Sequence, residues 1–376
     1  MPAGGRPDRR GSTSRARDRR PGARRRRSGR VLLRSTASWI FRGEALLLKA
    51  VNDEGWGSGY PVTYSRSLTF VLTHDCPWHC SYCGFRTDAE GLLSEAKLER
   101  LLAEAAGQGA KEALLISGER PDSLPPIRGE LERRGFSDFW DFANHVADRC
   151  AEAGFFPHGN FGRMGEGELA RIRPHFVSMG MMLESAEDHL QMAPEKKAAG
   201  RVAGIKAAGR AGVAFTSGIL VGWGESQTSR LKSLETLAEL HAEHGQLQEI
   251  LIQRYVPNEG SRWPVGKAPT LAEYEEMMMR WKEWAPGVAI QIPPNLEPRW
   301  PELLPWLDDL GGISWAKDEV NPTSPWERVE FYVEKCRDAG RELVERLPIY
   351  ESHISERWLA PAWLPRGLAF RAEVTA

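Results

Sequence analysis

The 376-residue chain is short of several things, and each shortage narrows the reading. It has no apolar run approaching the roughly 18 residues that a membrane span needs, so no membrane partner is expected. No signal peptide is expected either, because the charged N-terminus is not followed by an apolar core and a cleavage site. Cysteine is scarce, with five residues, three of them within eight positions. That is no disulfide framework; in a chain of this size it points to metal or catalytic chemistry in a reducing, cytoplasmic compartment. Net charge is nearly absent at −1, but the balance hides a division. Residues 1–34 hold thirteen arginines, two aspartates and no lysine, a local charge of +11, so the remainder carries −12. An acidic body offers no general case for nucleic-acid binding.

What is present is an ordinary globular composition, 41% apolar and 27% charged, in a length that suits one large α/β barrel or two ordinary domains. The Arg-rich stretch cannot bury a core and is expected to be disordered; the extension is assigned to residues 1–44, the barrel to 45–351 and a C-terminal tail to 352–376. Eight short apolar runs recur, at about 67–75, 112–118, 156–161, 175–184, 214–222, 248–256, 288–293 and 310–315. Helical signals separate them. Ser94 can cap a helix with Leu98, Leu101, Leu102 and Ala105 on one face, and Gly107 and Gly109 as stops. Leu231, Leu234, Leu237 and Leu240 form another stripe closed by Gly245, and Thr270 with Glu273 is a capping box. Pro174 ends a helix at 166–173. Met277, Met278 and Met279, like Cys150 and Cys336, read as core filling. Strand and helix alternating eight times predicts a (β/α)8 TIM-type barrel, with its chemistry on loops at the carboxyl ends of the strands.

The first such loop is Cys76-Pro-Trp-His-Cys80-Ser-Tyr-Cys83. A short loop can turn three thiols inward on one inorganic centre. Three options stand: a structural zinc site completed by His74 or His79, an electron-carrier cluster, or a [4Fe–4S] cluster with one iron left open. After the second strand, Gly118-Glu119 aims a carboxylate into the barrel mouth, suited to an ammonium group. The fourth strand ends with Glu184, and the fifth gives Gly218-Ile-Leu-Val-Gly222-Trp-Gly-Glu225, whose glycines allow close approach of a ligand.

Together and in this order, these segments resemble the radical S-adenosylmethionine (SAM) enzymes. The resemblance implies one [4Fe–4S] cluster on Cys76, Cys80 and Cys83, with SAM as the fourth ligand. It places Tyr82 near the adenine, Gly118 and Glu119 at the methionine amine, Glu184 at the ribose, and Gly218, Gly222 and Glu225 in the segment beside the adenine. The implied chemistry is reductive cleavage of SAM to a 5′-deoxyadenosyl radical that abstracts hydrogen from substrate, while the barrel orients the cofactor and excludes water.

A narrower resemblance is carried by Pro61-Val-Thr-Tyr-Ser-Arg66 ahead of the first strand, Pro157-His158-Gly-Asn160 at the third and Ser178–Ser185 at the fourth. Ile252-Gln253-Arg-Tyr at the sixth, Gln291–Leu296 at the seventh, Asp318-Glu-Val-Asn-Pro322 after the eighth and Arg346-Leu-Pro-Ile-Tyr350 extend it. The chain resembles FO synthase subunit 1 over about residues 60–351. That family implies a radical SAM lyase and cyclase of coenzyme F-420 biosynthesis. It joins a hydroxybenzyl-diaminouracil adduct, 5-amino-5-(4-hydroxybenzyl)-6-(D-ribitylimino)-5,6-dihydrouracil, into the deazaflavin FO with loss of ammonia. FO synthase subunit 2 would supply the adduct, and a flavodoxin or ferredoxin would supply the electron. The single cysteine triad makes the chain one half of that system. The alternative enzyme is a related radical SAM protein acting on a tyrosine- or futalosine-derived substrate. His158, Asn160, Gln253, Gln291, Asn295, Asp318 and Asn321 are candidate contacts to a polar pyrimidine; among them His158, Asn160, Gln253 and Asp318 are the candidates for moving a proton. The segment 120–137 is read as part of a lid.

Overall fold

The computed structural model describes residues 60–375 apart from 88–89, 189–191 and 316–317, together with the paired two-residue strands Val51–Asn52 and Gly55–Trp56. The Arg-rich extension lies outside the described residues. Eight parallel strands run in chain order: β1 (Val62–Thr73), β2 (Glu112–Ser117), β3 (Phe156–Asn160), β4 (Ser178–Gly180), β5 (Phe215–Val221), β6 (Leu247–Arg254), β7 (Ala289–Gln291) and β8 (Asp309–Ile313). Each pairs with its neighbours in sequence and β8 pairs back onto β1, so the sheet closes as a TIM-type α/β barrel. Closure removes the unpaired sheet edges.

Helices α1 (Glu95–Gly107), α2 (Pro125–Arg133), α3 (Phe139–Glu152), α4 (Glu166–Ile172), α5 (Ala198–Arg210), α6 (Gln227–His244), α7 (Leu271–Trp284) and α8 (Trp300–Leu303) fall between the strands. Their ends follow local chemistry. Ser94 accepts from the Lys97 amide at 3.3 Å, Thr270 and Glu273 form a reciprocal capping box, and Gly245 closes α6 in the left-handed conformation at φ 75°. Among the described residues no helix is long and apolar enough to cross a membrane. Cys150 and Cys336 are fully buried. Met277 and Met278 fill the core as expected, whereas Met279 is 46% exposed, because it sits on the solvent side of α7.

Three boundaries differ from the sequence reading. β1 begins at Val62, so Pro61–Arg66 does not precede the strand but, from Val62 on, opens it. Its polar start is held by two neighbours: β8 on one edge and β9 (Leu343–Arg346) on the other. β4 is cut to three residues, and Glu184 returns to the sheet as an isolated bridge opposite Ile219. α4 stops at Ile172, and Pro174 sits in a separate 3-10 turn, Arg173–His175.

The segment read as a tail folds against the barrel. After α9 (Val329–Asp338) and β9, Leu347, Ile349, Ile354, Trp358, Leu359 and Trp363 pack on Phe156, Val177 and Ala214, at the starts of β3, β4 and β5. These apolar side chains close the amino-terminal end of the barrel, and α10 (Leu364–Thr375) follows them. The barrel is thus covered below at β3 to β5.

Candidate active site

The cysteine loop is placed by contacts from three sides. The Ser81 amide donates to the Met192 carbonyl, and the Arg262 and Trp263 amides donate to the Ser81 carbonyl at 2.6 and 2.9 Å. Ser261 donates its hydroxyl to the Tyr82 carbonyl at 2.7 Å, and Arg86 Nε donates to the Cys76 carbonyl at 2.8 Å. Gly118 is pressed so closely on the start of the loop that a Cβ would lie 2.2 Å from the Asp75 carbonyl oxygen and 2.7 Å from Cys76 Cβ. Glycine is needed there for packing. The three thiols are half-buried and border one cavity of about 660 Å³ at the carboxyl ends of the strands. Burial pushes the Cys76 thiol up and the Cys80 thiol to about 12, so each would give up its proton only to a cation that takes its place.

Acid and base side chains converge beside the thiols. Glu119 Oε1 accepts from the Arg163 amide at 3.0 Å, and its Oε2 lies 3.2 Å from the Arg201 guanidinium. Glu184 Oε1 accepts from the Tyr82 hydroxyl at 2.7 Å and from Lys196 Nζ at 2.5 Å, with Arg201 at 3.5 Å. Burial alone would raise the Glu184 carboxyl, but the Lys196 and Arg201 cations outweigh it and hold the group below its ordinary value. Arg120 at φ 54° and Glu184 at φ 67° are the two non-glycine residues with positive φ among those described. Both flank this cluster, where backbone strain commonly gathers. An apolar wall of Met192, Leu220 and Tyr255, with Tyr82, Trp223 and Trp263 packed on it, stands next to the acids.

A family model described as the radical SAM superfamily matches residues 70–237. A 7,8-didemethyl-8-hydroxy-5-deazariboflavin synthase of Archaeoglobus fulgidus is 39% identical over 311 residues, covering 81% of this chain and 95% of that protein. One from Methanothermobacter thermautotrophicus is 36% identical over 316 residues, covering 81% and 96%. The chain belongs to the 7,8-didemethyl-8-hydroxy-5-deazariboflavin synthase family. Its fold is shared with methylornithine synthase (PylB; TM-score 0.58, 16% identity, 76% of this chain and 84% of that one). It is shared as well with HydG, a maturase of the [FeFe]-hydrogenase (TM-score 0.61, 12% identity, 85% and 70%).

In this member of the synthase family the glycine-acid segment after β5 is held by its own acid. Glu225 accepts from the amides of Gly222, Trp223 and Gly224 at 2.8, 2.9 and 3.1 Å and pairs with Arg230 at 2.5 Å. Its carboxylate is spent on shaping its own turn, so it serves the site by holding the loop. Gly218 is small because a Cβ would lie 2.2 Å from the Leu251 carbonyl oxygen on β6, and its own carbonyl receives the Glu184 amide. Gly222, at φ 84°, makes the turn.

Arg201 and Lys196 went unnoticed in the sequence. The signal for Arg201 was there: it lies in line with Gly204, Ile205 and Ala208 on the buried stripe of α5, where a charge needs a reason.

All seven pyrimidine candidates border the same cavity. Ser178 donates its hydroxyl to the Pro348 carbonyl at 2.6 Å, so its contact with His158 Nδ1 at 2.7 Å requires that nitrogen to carry the proton. His158 Nε2 is then a bare acceptor, and burial, helped by Arg346, pulls the imidazole down to about 3. Asp318 is occupied by the Val320 and Asn321 amides, both at 2.8 Å, and by Asn295 Nδ2 at 2.9 Å. These bonds tie the loop together around it. The 120–137 segment folds as a 3-10 turn and α2, and its Leu124 and Pro126 flank Cys76 and His79.

Proposed function

We propose that this chain forms the deazaflavin chromophore FO from the ribityl-bearing hydroxybenzyl-diaminouracil adduct, with cleavage of SAM and loss of ammonia. The observation that carries the reading is the match to synthases of that name along nearly their whole length. A tight thiol loop opening on a large polar cavity accords with it.

The residues present fit a cluster and SAM. Cys76, Cys80 and Cys83 would hold a [4Fe–4S] cluster by three thiolates, leaving one iron for a ligand from outside the chain. Arg201 is fully enclosed, yet its Nε has no hydrogen-bond partner among the described residues. It would receive the methionine carboxylate, and Glu119 the amine. Glu184 would take the ribose hydroxyls, and the Tyr82–Tyr255–Trp223 wall would cover the adenine. When bound, the cluster and SAM supply one-electron reductive cleavage and an agent that removes hydrogen from carbon. The chain itself holds the methionine end by opposite charges and keeps water from the apolar wall. It also presents the unprotonated Nε2 of His158 to a substrate donor. A flavodoxin or ferredoxin would deliver the electron, and FO synthase subunit 2 the substrate. Anaerobic protein given SAM, reductant and the adduct should yield FO; SAM turnover with no FO would move the assignment to a related reaction.

A further inference from the structure

The lower half of the cavity has no part in holding SAM, yet it is polar. At the floor, Arg346 binds Asp309 through Nε at 2.6 Å and Glu249 at 3.1 Å, and Tyr350 donates to Glu249 at 2.7 Å. Thr216 fills the other Glu249 oxygen at 2.9 Å. These groups satisfy one another. Glu112 stands apart. It opens β2, opposite Ser67 in the register of β1, borders the cavity and is 6% exposed. The Ser65 hydroxyl beside it and the Arg346 charge favour its ionised form without outweighing its burial, and the Ser65 and Ser67 hydroxyls themselves make no regular hydrogen bond among the described residues. Across from it Gly312 leaves room: a methyl there would sit 3.5 Å from Glu112 Oε2.

A buried carboxyl with so little support is costly, and this one borders a space that a ligand can enter. Burial pushes it up to about 7, so near neutral pH it both donates and accepts, as a hydroxyl also does. Depth limits what reaches it. Glu112 opens β2 and Glu119 lies in the turn past its end at Ser117, so the two stand up to about 20 Å apart at the usual rise of a strand. The reacting part of a substrate must lie near the mouth, so only a part that takes no role in the chemistry can reach the floor.

We propose that the floor around Glu112 is the subsite for the polyhydroxyl chain of the substrate. The proposal rests on the reading above, in which the substrate carries a ribityl group.

The test is equilibrium binding of 6-(D-ribitylamino)uracil and 6-(methylamino)uracil to the wild type, Glu112→Met and Glu112→Gln. A hydrogen bond to an ionisable partner contributes roughly tenfold or more. The wild type should therefore prefer the ribityl compound by at least about tenfold; Glu112→Met should lose that preference and Glu112→Gln keep part of it. A partly misfolded variant weakens both ligands equally and leaves the ratio untouched. Equal ratios in the wild type and Glu112→Met, or no preference in the wild type, would overturn the proposal. Should the holoenzyme make no FO while the preference is present and lost in Glu112→Met, the reaction assignment falls and the polyol subsite stands.

Discussion

Glu112 also makes a prediction about stability, and its sign separates a residue kept for binding from one kept for folding. Its carboxyl is raised from an ordinary 4.5 to about 7, chiefly by burial. The folded protein therefore holds this proton more tightly than the unfolded chain does. Below pH 4.5 the group is neutral in both states and costs nothing. As pH rises toward 7 the unfolded chain ionises first, and stability falls by 1.36 kcal/mol for each pH unit of the gap, about 3 kcal/mol in all. Glu112→Gln keeps the shape but cannot ionise, so it should match the wild type near pH 4.5 and exceed it above pH 7. Thermal unfolding of cluster-free protein at pH 5 and pH 8 reads the difference. The variant's advantage at pH 8 should be on the order of 5 °C, shrinking toward pH 5. A variant less stable than the wild type at pH 8, or an offset that does not change with pH, would refute the reasoning.

Gly118→Ala places a methyl against the Asp75 backbone and displaces Cys76. At full iron loading, 5′-deoxyadenosine formation should fall by about 100-fold, the scale expected for an ångström of misplacement; a wild-type rate would contradict the packing role. Arg201→Met strips Glu119 and Glu184 of a shared cation and should weaken SAM about 10- to 100-fold in a binding titration. Trp363→Ala removes a side chain that covers Phe156 and donates to the Pro174 carbonyl at 3.0 Å. It should cost about 3–5 kcal/mol in denaturation while SAM cleavage per folded molecule stays unchanged.

What could be read from the sequence was local. The cysteine spacing, the Ser94 and Thr270 caps and the alternation of apolar runs with helical stripes each depend on residues a few positions apart, and together they gave the barrel. What could not be read depended on distant partners. Ser65 and Arg66 look like loop residues until β8 and β9 pair beside them. Arg346 crosses beneath the barrel to meet Glu249 and Asp309 from strands far away in sequence. Spacing alone does not show that the Glu225 oxygens turn back on the amides of Gly222, Trp223 and Gly224. The packed C-terminal segment was missed because Trp358 and Trp363 have no periodic apolar neighbours. Their partners lie at the entries to β3, β4 and β5.

The Cys76–Cys83 loop is expected to serve radical chemistry on a ribityl-bearing adduct. The most direct test supplies anaerobically reconstituted protein with SAM, a reductant and that adduct, and follows deazaflavin fluorescence together with 5′-deoxyadenosine. Both products should form in wild-type protein, and neither when Cys76, Cys80 and Cys83 are replaced by alanine. Full iron content without SAM cleavage, or SAM cleavage with no deazaflavin, would contradict it.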